Sequence, residues 1–396
     1  MSILKRAAIL FFIFTVSLVF SGCWDYKEIN QLEIVSGFAV DKDTNTGKYI
    51  ITVEFVKPTE GGTSNISEIL TAEGNTILEA GRNIILKRGT RPYWNHAKII
   101  IVGKEIAEES IIPLLDLVYR SNQVRTDIYL LVSKDKTAGE ILYKGAENQK
   151  INNGTIISFD IDEGFENGKG IGKYPLNYLF TFIDNLSREG ISGTLPLVFN
   201  RPNGYNTDTI VEGTAVFKED KMIGCLDGDE TQTYLYTQGT EIYPPIVLYE
   251  NENINGDEDK PNARISLEVK RYKKKIKPIY KNGKITIQIN INIDTSISEI
   301  SNSKIDYMSK EGIRILEEDA KNKIKKDINN LIYKVQKEYK SDIFGFGAAI
   351  KRNNPKLWKQ IKNDWNEKFI GLDTEIDVDL KIRTSGLHSK PLGIGD

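Results

Sequence analysis

Little in this 396-residue chain is equipped for covalent chemistry. It has two cysteines (Cys23 and Cys225), two histidines (His96 and His388) and three methionines. Two cysteines cannot build a disulfide framework or a Cys-rich zinc site, and the histidines lie too far apart for the common zinc-hydrolase motifs. No Gly-x-Ser-x-Gly elbow and no His-Glu-x-x-His is present, so hydrolase chemistry has no visible carrier. No metal, cofactor or catalytic residue is expected. Charge of one sign is also lacking: 53 Lys and Arg stand against 55 Asp and Glu, a net charge of -2. Without a global basic field, nucleic acid is not an expected partner. The one glycine-rich loop, Gly168-Lys169-Gly170-Ile171-Gly172-Lys173, lacks the Walker spacing and the Ser or Thr after its lysine, and reads as a surface loop. With 40% hydrophobic residues, 27% charged residues and only 12 prolines, the chain can fill ordinary cores, and its length suggests two or three domains.

Long apolar runs are missing too, with one exception at the start. Ala7 to Phe20 is apolar but shorter than the roughly 20 residues that span a bilayer. Lys5 and Arg6 precede it and Ser21-Gly22-Cys23 follows, the pattern of a secretory signal peptide over residues 1–22. Gly-Cys at this position resembles a bacterial lipobox, with Phe20 where leucine is usual. In that resemblance the Cys23 thiol takes a diacylglyceryl group and becomes the first residue of the mature protein. The thiolate suits the part as a strong, soft nucleophile. Cys225, in the apolar stretch Met222 to Leu226, reads as a small buried hydrophobe.

The mature chain divides into three mixed α/β parts, residues 23–149, 150–259 and 260–396, of the α/β (α+β) class. In the first, Glu33–Asp41 and Lys48–Lys57 read as a hairpin about Asp43 to Gly47. A helix capped by Asn75 follows, then a strand at 97–102, a helix over 105–119, a strand at 126–133 and a short helix from Thr137 to Tyr143. In the second, Thr155–Ile161 reads as a strand and Leu176–Leu186 as a helix. Strands follow at 195–199, 209–217 and 222–226, and a short helix capped by Asp227 or Asp229. Residues 251–261 read as an exposed linker. In the third, Ile265, Leu267 and Val269 alternate, after which the apolar parity shifts to Tyr272, Ile276 and Tyr280, the mark of a β-bulge. Asn282-Gly283 makes a hairpin turn, and Ile285, Ile287, Ile289, Ile291 and Ile293 alternate without a break. A three-and-four stripe from Ile305 through Leu316, Ile324 and Leu331 to Val335 predicts a long helix beginning near Ser303. With the final strand at 376–382, this part reads as an antiparallel sheet packed by a long helix.

Charge reverses sharply between the second and third parts. Asp227 to Asp259 holds nine acidic residues and no Lys or Arg, whereas Lys260 to Lys284 holds ten basic residues and one acid, Glu268. The basic ribbon centred on Lys273, Lys274 and Lys275 has two readings. It is either a solvated strand edge whose lysines prevent edge-to-edge pairing, or a partner-binding surface for anionic headgroups or an acidic protein face.

Several of these stretches together resemble one family. Cys23-Trp24-Asp25-Tyr26-Lys27-Glu28-Ile29, then Ser36-Gly37-Phe38-Ala39-Val40-Asp41, match the mature start of the Ger(x)C spore-germination lipoproteins. Asp342-Ile343-Phe344-Gly345-Phe346-Gly347, Pro355-Lys356-Leu357-Trp358, Trp365, Phe369 and Arg383-Thr384 match their C-terminal end. Ala348-Ala349 departs from the more polar continuation usual there. The resemblance covers essentially the whole chain. It implies three α/β domains in an extended arrangement, and a non-enzymatic C subunit of a germinant receptor. It also implies lipid anchoring through acylated Cys23 to the outer face of the spore inner membrane, and assembly with membrane-embedded A and B subunits. The alternative is a substrate-binding lipoprotein of a membrane transporter, which would show two similar lobes about a cleft. The thirds of this chain are dissimilar.

Overall fold

A computed structural model describes residues 32–59, 65–152, 156–168, 171–204, 206–239, 244–249, 264–301 and 305–384, with positions 3, 5, 7, 11 and 12 of the leading segment. Cys23, its flanking motif and the 251–261 linker lie outside the described residues. Among the described residues the protein is mixed α+β, with two sheets.

Nine strands form the larger sheet. In chain order they are β1 (Leu32–Lys42), β2 (Tyr49–Pro58), β3 (Asn65–Gly74), β4 (Arg91–Tyr93), β5 (Ile99–Val102), β6 (Tyr129–Ser133), β7 (Thr194–Asn203), β8 (Asn206–Lys218) and β9 (Lys221–Leu226). Their spatial order is β3-β2-β1-β5-β6-β7-β8-β9, with β4 beside β1. The centre, β1, β5, β6 and β7, is parallel, and antiparallel hairpins flank it on both sides. Parallel strands covered by helices on both faces should be apolar throughout. Ile99, Ile100, Ile101 and Val102 are all fully buried. The sheet passes through the expected 149/150 boundary unbroken, because β6 hydrogen-bonds directly to β7 at Val132 and Leu197.

Helices over this sheet depart from the sequence reading in several places, among them the helix expected to end at Tyr143, which runs to Asn152, and the one expected from Leu176, which starts at Leu179. α1 (Ile77–Arg88) is capped by Thr76, one residue later than expected, and ends at Gly89 in the left-handed region (φ 81°). The single helix expected over 105–119 is two, α2 (Lys104–Glu109) and α3 (Ile112–Arg120), with Pro113 opening the second. The strand expected at 155–161 is a helix. α4 (Gly139–Asn152) is followed by α5 (Ile157–Asn167), whose Ile161 and Phe165, four apart, are buried. Ile156 and Ile157 suggest a strand, but tertiary packing overrides that local β preference. α6 (Leu179–Ser187) and α7 (Gly228–Gln238) complete the layer, the latter with the Asp227–Glu230 capping box.

The second sheet runs β10 (Ile246–Tyr249), β11 (Arg264–Lys281), β12 (Lys284–Ser301) and β13 (Asp373–Thr384). It begins before the expected 259/260 boundary, since Ile246 to Tyr249 pair with Arg264 to Leu267. The register slips between Val269 and Arg271, where the parity shift predicts a bulge. Asn282 (φ 51°) and Gly283 (φ 78°) form the two-residue turn. The sheet is mixed rather than wholly antiparallel: β13 runs parallel to β12. A helical crossover causes this, because it carries the chain back to the end from which β12 started. The crossover comprises α8 (Lys310–Lys334), a π turn at 335–339, α9 (Phe346–Asn353), α10 (Pro355–Ile361) and α11 (Trp365–Ile370). α8 starts at the Ser309 cap, later than Ser303, and buries Leu316, Ala320, Ile324, Ile328 and Leu331 as its stripe requires. Among the described residues no helix is long and apolar enough to cross a membrane.

Candidate functional site

The motif residues that single out this chain meet in two places, and in both they hold elements together. At the first, Gly37 on β1 faces α5. A Cβ there would lie 2.2 Å from the Ser158 hydroxyl and 2.8 Å from Ile99, so only glycine lets the helix seat. Asp41 ends the same strand and accepts the backbone N–H groups of Ala138 (2.7 Å) and Gly139 (2.9 Å) at the start of α4. Beside them lies a buried carboxylate that the sequence reading missed. Glu54 accepts the hydroxyls of Ser36 (2.9 Å), Ser67 (2.6 Å) and Ser158. Burial pushes its carboxyl up, and the three serines hold it down.

The second place is the turn Asp342 to Gly347, which joins the two sheets. Oδ1 of buried Asp342 accepts the N–H groups of Gly345 (2.9 Å) and Phe346 (3.1 Å). Its Oδ2 accepts those of Gly347 (2.8 Å) and the Trp365 indole (3.2 Å). Burial pushes the carboxyl up to about 6 although these four donors act in the opposite sense. Gly345 adopts φ 75°, and a Cβ on Gly347 would meet Gly190 and Trp365 at under 3 Å. The loop between α6 and β7 docks on this turn. Ser192 N–H donates to the Asp342 carbonyl and Ala348 N–H to the Gly190 carbonyl, both at 2.8 Å. Ser341 Oγ donates to the Phe217 carbonyl at 2.7 Å. Glu189 accepts the Trp358 indole (2.8 Å) and the Lys362 ammonium (3.0 Å), and with Lys351 nearby its carboxyl is held down at about 2.

Cys225 is exposed rather than buried. On β9 it shares the outward parity of Lys221 and Ile223, while Met222 and Leu226 turn inward, so the apolar residues around it in sequence fall on both faces.

The structure separates the three ribbon lysines. Lys273 and Lys275 point outward and are exposed, while Lys274 shares the parity of Tyr272 and Ile276 and turns toward the helices. There its ammonium donates to the Thr237 carbonyl at the end of α7, and burial, with Arg352 nearby, lowers its pKa to about 8. Beyond Leu267 the outer edge of β11 is unpaired among the described residues, so the edge-protecting reading has its geometry. Lys274→Glu should therefore destabilise the protein, by about 2 kcal/mol or more, by placing a half-buried carboxylate against a carbonyl. Lys273→Glu and Lys275→Glu should each stay within about 0.5 kcal/mol of the parent. Thermal denaturation of the single variants measures the contrast.

A cleft of about 750 Å³ lies between α7, β10 and α8. Its charges are matched within it: Lys173 with Asp229, Lys334 with Glu230 at 2.6 Å and Lys323 with Asp327 at 2.8 Å. Among the described residues no group of three or more His, Cys, Asp or Glu side chains is placed to hold a metal ion. The side chains that mark the chain thus serve as clamps and caps.

Comparison with known proteins follows the same two ends. The family model for the spore germination protein N-terminal domain matches residues 25–199, and that for the spore germination B3/GerAC-like C-terminal region matches residues 212–386. Spore germination protein B3 of Bacillus subtilis (strain 168) is 28% identical across 98% of this chain and 100% of its own. Spore germination protein KC of the same organism is 24% identical across 95% of each chain. The crystal structure of the GerBC protein shares the fold, with a TM-score of 0.52, 24% identity and coverage of 87% of this chain and 96% of that one. Both domains in the family's order, full-length relatives and a shared fold lead to one conclusion: the chain belongs to the Ger(x)C family of spore germination proteins.

Proposed function

We propose that this protein is the non-enzymatic C subunit of a spore germinant receptor, anchored by acylated Cys23 to the outer face of the spore inner membrane. It assembles there with a membrane-embedded A subunit and a transporter-like B subunit. The observation that carries the reading is the fate of the motif residues. Gly37, Asp41, Asp342, Gly345, Gly347, Trp358 and Trp365 are all spent on packing and capping, so activity resides in surfaces rather than in a reaction centre. Dissimilar sheets, one of nine strands and one of four, speak against the two like lobes of a transporter's binding protein. Affinity-tagged protein extracted in mild detergent from spore inner membranes should bring down two multi-pass membrane proteins. Recovery of the tagged chain alone, or with a nucleotide-driven transporter, would overturn the assignment.

A further inference from the structure

One face of the C-terminal sheet is packed under its helices and the other is open to water. The open face is sorted by charge. Strand register fixes its rows: Lys273, Asn292 and Asp379 lie side by side across β11, β12 and β13. Lys275, Asn290 and Asp377 form the next row, and Lys277, Gln288 and Glu375 the third. These three rows run from cation through amide to anion, whereas the row beside them, Arg271, Asp294 and Lys381, sets one carboxylate between two cations. Over these three rows the face therefore carries a lysine column at one edge, an amide column along its middle and an acidic column at the other edge. The charged members of all three rows are exposed.

With strands about 4.8 Å apart, the two charged columns stand about 10 Å from each other, too far for direct pairing within a row. Lys273, Lys275, Lys277 and Asp377 have no ion-pair partner among the described residues. Asp379 lies 3.9 Å from Lys381, and Glu375 accepts the Gln288 amide at 2.9 Å.

A two-fold axis running along β12 turns this pattern onto itself with the signs exchanged. Lysine column then faces acidic column, rows keep their height, and the amides meet at the axis. Lys273 of each copy opposes Asp379 of the other, Lys275 opposes Asp377, and Lys277 opposes Glu375; the complementarity ends there, because in the next row Arg271 opposes Lys381. An axis across the strands would instead set lysine on lysine. We propose that the outer face of this sheet is a self-complementary docking surface for a second copy of the same chain, the isologous arrangement of a two-fold dimer. An anionic lipid surface is a poorer occupant, since the acidic column lies only about one Debye length from the lysines and would be pressed onto the headgroups.

The patch is small beside the roughly 1,600 Å² of a standard interface, and exposed ion pairs contribute about 0–1 kcal/mol each. Pairing is accordingly weak in dilute solution and salt-sensitive, and it gains from confinement of the molecules to one membrane. That gain rests on the lipid anchor proposed above; the complementarity of the face does not.

The test places a thiol on the axis, Asn290→Cys in a Cys225→Ser background of the full chain, and treats membranes with a short bismaleimide. A cross-linked dimer is expected at low salt and should fade as salt rises. It should fall about tenfold or more when Lys273→Glu and Lys275→Glu are added, and likewise when Asp377→Lys and Asp379→Lys are added. Co-expressing the two charge variants, distinguished by tags of different size, should restore a mixed dimer. The same comparison on concentrated detergent-solubilised protein separates failure of the face from failure of the anchor. No dimer in the Asn290→Cys protein, undiminished dimer in either charge variant, or no restoration on mixing would overturn the proposal. Loss in the lysine variant alone would overturn it in favour of anionic lipid.

Discussion

Cys23→Ala should abolish nutrient-triggered germination through this receptor while leaving every folded element intact. A single acyl chain gives marginal, reversible membrane attachment, whereas two chains hold stably at about 0.8 kcal/mol per buried CH₂. On the proposed reading, diacylglyceryl transfer to the Cys23 thiol would supply two chains in one step, and alanine offers no nucleophile for it. Among the described residues no helix can take over as an anchor. In the proposed lipoprotein, cleavage of the leader would depend on the lipid, so the variant should persist uncleaved, become mislocalised or be degraded. Membrane fractionation with mass spectrometry of the N-terminal peptide measures this directly. An unmodified Cys23 thiol in wild-type membranes would sink the lipoprotein reading.

Asp342→Asn should be among the most destabilising single-atom changes in the molecule. Both carboxylate oxygens receive two N–H groups apiece. An amide can present only one oxygen, so its NH₂ must face two donors. Each buried donor left unpaired costs about 1–3 kcal/mol, giving a loss of about 3–5 kcal/mol and a fall in Tm on the order of 10 °C. Trp365→Phe removes one donor together with its bond and keeps most of the ring, so it should cost clearly less. Equal melting temperatures for Asp342→Asn and the parent would show that the turn is held by packing alone.

Much of the C-terminal sheet was legible in the sequence because its signals are local. The Ile285 to Ile293 alternation, the Asn282-Gly283 turn, the parity shift at Lys270 and the stripe of α8 each sit within one element. What escaped depends on distant partners. β3 reads as polar because much of it is only half-buried at the sheet edge, so its alternation is faint. α5 looked extended because Ile156 and Ile157 are β-branched, although Ile161 and Phe165 carried the helical spacing. The parallel pairing of β13 follows from the crossover and has no signature inside the strand. The same logic applies to the sites. Lys274 was separable from its neighbours by its parity with Tyr272 and Ile276. Glu54 and Glu189 were not, since nothing near them in sequence reveals three serines or an indole waiting across the fold. The charge-sorted face exists only once the register of three strands is known.

The clasp between the α6–β7 loop and the Asp342 turn has a mechanical consequence. Backbone hydrogen bonds run across it in both directions, Ser192 to Asp342 and Ala348 to Gly190, and each side lacks room for one added methyl group. Bending the two sheets against each other at this point would have to break these bonds together, so the clasp opposes hinge motion. A force applied to either sheet would therefore be handed to the other through these bonds, moving the two together.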